Sequence, residues 1–176
     1  MPYLSSGKVK SADSLIVYDA KFFKEKRNIE VALRHEATRI FPQRKAVTIK
    51  DLNTGGEKEY TYDKLLIATG ARAFVPPIKG LDRKGVFTLR PLEDGIAIRN
   101  FIDSNSPRNG LLIGAGYIGM EMAESFTEAG MKVTVVEKMP GIVGTMDDEI
   151  TEIIEKELNR NGVTLLNSKA VAEFAG

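Results

Sequence analysis

Gly114-Ala115-Gly116-Tyr117-Ile118-Gly119 carries the spacing G-x-G-x-x-G, the one stretch of this sequence that offers a binding chemistry on its face. An apolar run, Leu111 to Ile113, leads into it, and a helical pattern through Met120 and Glu121 follows at once. A second apolar run, Val133 to Val136, ends in the acid Glu137, about twenty residues on. Strand, glycine turn, helix, strand and acid together form the fingerprint of a dinucleotide site. Gly114 permits the tight turn, Gly116 lets backbone approach a pyrophosphate, and Gly119 lets the helix lie close on the strand. The phosphates then meet unpaired N–H groups at the positive end of the helix. Glu137 is suited to accept hydrogen bonds from the adenosine ribose and to repel a 2′-phosphate, which favours NAD(H) over NADP(H). Lys138, beside it, joins the same set and tempers that discrimination.

A second stretch ends in polar chemistry. Leu65 to Ala68 reads as a buried strand stopping at Thr69-Gly70, with Ala71, Arg72 and then Val75-Pro76-Pro77 beyond it. Arg72, just past the turn, is placed to pair with a diphosphate. The single histidine, His35, has no cysteine and no carboxylate cluster around it in sequence, so no metal site is expected. With no cysteine anywhere, disulfide and thiol chemistry have no residue in this chain to use.

The elements that must hold these groups follow from periodicity. Asp19 reads as the N-cap of a short basic helix through Phe22, Phe23 and Lys26. From Ile29 the period becomes two: Ile29, Val31 and Leu33, then Ala46 to Ile49, then Tyr60 to Tyr62 alternate between breaks at Phe41–Arg44 and Asn53–Gly56. That predicts an antiparallel meander of three or four strands. Val86 to Arg90 reads as a further strand, and Pro91 opens a helix ending near Ser104. A turn-rich linker, Asn105 to Gly110, marks a domain boundary. After Glu137 comes the loop Met139-Pro140-Gly141; Asp147 then starts a helix with Ile150, Ile153, Ile154 and Leu158 at helical spacing, Gly162 ends it, and Val163 to Leu166 starts a third parallel strand. The fold expected is α/β: a partial Rossmann-like, nucleotide-binding fold with a parallel sheet, joined to the three- to four-stranded meander.

Composition narrows the partners. The 176 residues are 43% hydrophobic and 28% charged, an ordinary globular balance. A net charge of +1 steers the chain neither to nucleic acid nor to an anionic membrane. No apolar run has the length of a membrane span and the N-terminus lacks the core of a signal peptide, so a cytoplasmic location is expected.

Meander, Leu65 to Arg72, Pro76-Pro77, helix and Gly114 to Glu121, in that order, resemble the pyridine nucleotide–disulfide oxidoreductases. The similarity is strongest to the branch holding coenzyme A disulfide reductases, NADH oxidases and NADH peroxidases, and it runs the length of the chain. It implies enzymes that pass a hydride from NAD(P)H to FAD, and from there to a disulfide, a coenzyme A disulfide or an oxygen species. It implies that Thr69, Gly70, Ala71 and Arg72 lie against FAD, with Ala37 near its adenine. It also implies that Gly114, Ala115, Gly116, Ile118, Gly119, Glu137 and Lys138 hold NAD(H), that Tyr117 is a lid between flavin and nicotinamide, and that Glu121 sits near the nicotinamide. The resemblance further implies a small-molecule substrate and a homodimer or higher oligomer.

The departures set a second expectation. No FAD fingerprint precedes Gly114, and the redox cysteine of the coenzyme A branch falls just ahead of a Pro-Tyr pair like Pro2-Tyr3. The chain is therefore expected to be a middle segment, with residues 1–104 the back half of an FAD domain and 105–176 the front half of an NAD(P)H domain. FAD then belongs to the whole enzyme rather than dependably to this segment. No residue here is expected to be catalytic, and the segment alone is expected to be inactive or a non-catalytic NAD(H)-binding module. Bared sheet edges would also let it act as a structural fragment that pairs with another copy.

Overall fold

The computed structural model describes residues 2–175, and Met1 and Gly176 lie outside the described residues. The chain folds as two compact units, one formed by Ile16–Ala71 and the other by Met1–Leu15 with Arg72–Gly176.

The smaller unit is the meander. It opens with a helix, α2 (Ala20–Arg27), that follows a one-turn helix α1 (Pro2–Ser5) in the other unit. Asp19 caps α2 as its sequence position predicts, accepting from the Phe22 N–H at 2.7 Å, a contact that contributes about 1 kcal/mol to such a helix. Asn28 closes the helix in the left-handed conformation, with φ 54°. Tyr18 stacks on Phe22 at 4.2 Å between ring centroids, and Phe23 meets both rings edge-on. Three antiparallel strands follow: β1 (His35–Phe41), β2 (Ala46–Asp51) and β3 (Glu57–Thr61). The register of β1 on β2 shifts between Ala37 and Arg39, a bulge that sets Thr38 apart. At the β2–β3 turn the Asp51 carboxylate accepts from the N–H of Asn53 and the hydroxyl of Thr54, which holds its pKa below the ordinary value.

The larger unit carries the parallel sheet, β4 (Asn109–Ile113), β5 (Lys132–Val136) and β6 (Thr164–Leu166), paired in that order and all parallel. Parallel neighbours need a crossover, and helices α4 (Tyr117–Glu128) and α5 (Asp148–Arg160) supply the two required. Helix α3 (Leu92–Asn105) precedes the sheet. One core joins Ala115 and Ala123 to Met131, Val133, Val135 and Val163, with Ile142 and Val143 of the following loop inside it. Helix α1 buries Leu4 and Ser5, and Arg99 of α3 donates to the Ser5 carbonyl at 3.2 Å while paired with Asp103. Lys8 bridges to Glu128 on α4 at 2.5 Å. Among the described residues no helix is long and apolar enough to cross a membrane.

Three predicted strands do not form. Leu65 to Ala68 is unpaired, with Leu66 87% and Ile67 64% exposed. Val86 to Arg90 and the alternating Ile29 to Leu33 are also outside any ladder, and the first of the meander's three strands is instead β1, His35–Phe41, which the alternation did not mark. The reason is the same in each case: apolar alternation marks a residue as fit for a sheet, but a strand exists only where a neighbour takes its N–H and C=O groups. Arg34, at φ 59°, also turns the chain just ahead of β1.

Candidate dinucleotide site

The C-terminal ends of β4 and β5 and the N-terminus of α4 meet at the glycine turn. Gly114 has φ +99°, a conformation costly for any residue with a Cβ. Gly119 is required by contact instead: a Cβ there would lie 2.1 Å from the Gly114 carbonyl oxygen. Gly116, in ordinary extended conformation, faces open space, with no heavy atom within 4 Å of where its Cβ would be. Tightness at Gly114 and Gly119 and vacancy at Gly116 are what a turn needs if a ligand is to approach its middle. Gly116 is also the N-cap of α4 and has no side chain to satisfy the helix's first N–H groups. The first turn of α4 has no acidic residue, so the positive helix end is not neutralised from within.

Glu137 closes the site from β5. One carboxylate oxygen accepts the Ala115 N–H at 2.7 Å, and the other accepts the Met139 N–H at 2.8 Å. The Ala115 carbonyl is also taken, by the Val143 N–H at 2.8 Å. Ala115, 1% exposed, thus has both of its backbone polar groups engaged inside the protein. The donors left for a phosphate are those from Gly116 into the first turn of α4. Glu137 keeps free lone pairs, because an ionised carboxylate can accept about four hydrogen bonds. Lys138 is exposed and has no ionic partner among the described residues. Tyr117 is 57% exposed at the start of α4, and its hydroxyl lies 3.1 Å from the Thr145 hydroxyl. Ile118 and Glu121 are exposed on the same helix.

The residues assigned to FAD are arranged differently. Ala37 lies in β1 at the bulge, and Thr69, Gly70 and Ala71 lie in the unpaired extension after Ile67, all of them in the meander unit. Arg72 begins the other unit's second segment. All five are exposed, and no Cβ at Gly70 would meet an atom within 4 Å.

Sequence comparison decides the family. The profile described as pyridine nucleotide-disulphide oxidoreductase matches residues 3–176. The chain belongs to that family. Within it, the chain is 38% identical over 178 aligned positions to a protein of Methanocaldococcus jannaschii named NADH oxidase, covering 100% of the chain and 39% of that protein. It is 32% identical over 173 positions to coenzyme A disulfide reductase of Staphylococcus haemolyticus, covering 98% of the chain and 39% of that enzyme. Among solved structures, reduced CoADR-RHD of Bacillus anthracis superposes with a TM-score of 0.94 at 30% identity, over 98% of this chain and 31% of that one. The water-forming NADH oxidase of Lactobacillus brevis bound to NADH gives 0.90 at 28% identity, over 99% and 38%. An engineered NADPH oxidase made from it, bound to NADPH, also gives 0.90, at 27% identity and the same coverage. The chain therefore spans under two fifths of the length of each of these proteins. Family members of known structure share its α/β, Rossmann-like architecture with the meander attached.

Two features of the site had weak or no signals in sequence. Loop residues 139–147 supply Ile142 and Val143 to the core, and Thr145 reaches Tyr117; only the apolar pair Ile142-Val143 in an otherwise turn-rich stretch hinted at burial. The double use of the Glu137 carboxylate on backbone N–H groups had no sequence signal, since those partners are not side chains.

Proposed function

We propose that this chain is the NAD(H)-binding segment of a flavoprotein oxidoreductase, with the adenosine diphosphate half of the nucleotide held at the glycine turn. The observation that carries this reading is the pairing of an open Gly116 with a Glu137 carboxylate fixed beside it. The pyrophosphate lies on the free N–H groups of Gly116 and the first turn of α4, where the helix end favours negative charge. The adenosine ribose donates to the remaining lone pairs of Glu137, which also repels a 2′-phosphate, so NAD(H) is preferred. Lys138 draws toward phosphate and limits that preference. Tyr117 and Glu121 face the nicotinamide end, Tyr117 as a lid.

In the whole enzyme, residues 1–104 complete an FAD domain, 105–176 an NAD(P)H domain, and the assembly is a homodimer or higher oligomer. FAD would supply the redox chemistry of the whole enzyme, between the nicotinamide and a disulfide, a coenzyme A disulfide or an oxygen species, and Ala37, Thr69, Gly70, Ala71 and Arg72 would lie against it. In this chain Thr69 to Arg72 and Ala37 contribute only one face of that flavin site. The names of the relatives, NADH oxidase and coenzyme A disulfide reductase, support this class of acceptor.

The test is an absorption spectrum of the purified chain followed by an NADH titration. A colourless protein that binds NADH and reduces no coenzyme A disulfide is the expected result, because no group in this sequence forms the thiolate that attacks a disulfide. Failure to bind NADH would refute the site; turnover of coenzyme A disulfide by the pure chain would refute the division of labour. A second reading has its own observation: Leu66 and Phe74, both 87% exposed, favour pairing with another copy. A mass that rises with concentration would show it.

A further inference from the structure

Residues 139–147 cross from the end of β5 to α5 and are tied to the glycine turn more firmly than a loop rich in glycine and proline should be. Val143 has φ +42°. The other described non-glycine residues in that region are Asn28, Arg34, Lys45, Ser106 and Ser168, none of them β-branched. A branched side chain in the left-handed conformation is strained and persists only where its surroundings over-determine it. Here they do. The Val143 N–H donates to the Ala115 carbonyl at 2.8 Å, its carbonyl accepts from the Met146 N–H at 2.9 Å, and its side chain is 5% exposed within the core. Strain of this kind concentrates at clamps and switches.

Two residues farther on, the Thr145 hydroxyl lies 3.1 Å from the Tyr117 hydroxyl, the one hydrogen bond of that phenol among the described residues. Because Val143 is pinned to Ala115, and Ala115 is next but one to Tyr117, Thr145 is offered to the ring from a fixed backbone. Both side chains are exposed, so the bond is weak enough to exchange with water.

We propose that Thr145 is a positioning residue for Tyr117, and that Val143 fixes the strap from which it acts. The hydroxyl pair holds the ring closed over the nicotinamide end of the site, and the ring must leave Thr145 before the nicotinamide enters. This rests on the reading of the glycine turn as an NAD(H) site with Tyr117 as its lid. It adds what holds the lid shut.

The experiment compares two ligands on the full chain: NADH, followed by its own fluorescence, and ADP-ribose, which has the adenosine, the ribose and the pyrophosphate but no nicotinamide. Thr145→Val and Tyr117→Phe should each tighten NADH by about fivefold, the worth of one neutral hydrogen bond, and leave ADP-ribose unchanged. The double variant should bind NADH no more tightly than either single one, since both remove the same bond. Thr145→Ser, which keeps the hydroxyl, should restore the original affinity. Binding of ADP-ribose with NADH affinity unmoved by Thr145→Val would overturn the role of Thr145 and leave the site standing. An equal shift for both ligands would likewise overturn it, because it would show a general effect on the turn. A chain that binds neither ligand would overturn the NAD(H) reading itself, and the latch with it.

Discussion

Gly119→Val is expected to unfold the parallel-sheet unit. A Cβ at this position would sit 2.1 Å from the Gly114 carbonyl oxygen and 3.2 Å from its carbon, both of them backbone atoms of the turn. No side-chain rotation relieves that overlap; α4 must move away from β4 by roughly 1 Å for alanine and farther for valine. Helix α4 contributes Ala123, at 0% exposure, and Met122, at 3%, so the displacement opens the core. The cost should exceed about 3 kcal/mol, a large part of the stability of a small domain. Thermal unfolding followed by circular dichroism checks it, and a melting temperature close to that of the parent chain would show that the close approach is dispensable. Gly116→Ala makes the opposite expectation. Its backbone is one any residue adopts and its Cβ meets nothing, so stability should hold. NADH affinity should still fall by about tenfold, because the methyl group fills the space that lets a pyrophosphate reach the turn. These outcomes would assign Gly119 to packing and Gly116 to the proposed ligand.

Glu137→Ala is expected to have the largest effect on binding. Removing the carboxylate leaves the N–H groups of Ala115 and Met139 without the partners that now stand at 2.7 and 2.8 Å. Charge-assisted bonds of this kind are worth about 1.5–3 kcal/mol each when lost. In the proposed NAD(H) site the ribose would lose its acceptor as well. NADH affinity should therefore drop by tenfold or more, and NADPH affinity should drop less, because the repulsion of the 2′-phosphate disappears together with the carboxylate. Parallel titrations with the two nucleotides measure the ratio. Unchanged affinity for both would remove Glu137 from the ribose. An equal loss for both would mean that it braces the turn and takes no part in discrimination. Glu137→Gln separates these effects further: an amide keeps one acceptor oxygen but presents a donor where the second N–H needs an acceptor, so the brace is half lost and the charge wholly lost.

The two helix–strand crossovers, the second and third strands of the meander and both of its tight turns were legible in the sequence because periodicity and turn residues mark them along the chain; β1 was not, since the alternation of Ile29, Val31 and Leu33 points to a strand ahead of it. Asp19 caps α2 from three residues away, and Pro91 stands at the head of α3 where its fixed φ suits a helix start. Leu65 to Ala68 was legible as strand-like yet forms no strand, because its composition carries no information on whether a partner is present. Helix α1 had no pattern to find: four residues are too few to show a helical period, and it exists through Leu4 and Ser5 packing on α3 and α4.

By itself the sequence determined that a strand, a glycine turn and a helix would set an uncapped helix start beside an acid, because spacing along one chain sets hydrogen-bonded periods and the absence of a side chain at Gly114, Gly116 and Gly119. Only the tertiary structure decided what the acid holds and what lies across the turn. Glu137 meets Ala115 across 22 residues and Tyr117 meets Thr145 across 28, contacts fixed by the pairing of β4 with β5 and by the burial of Ile142 and Val143. Local sequence sets which backbone conformations are cheap. The packed core is what holds Val143 in one that is not, and so places the strap on the site.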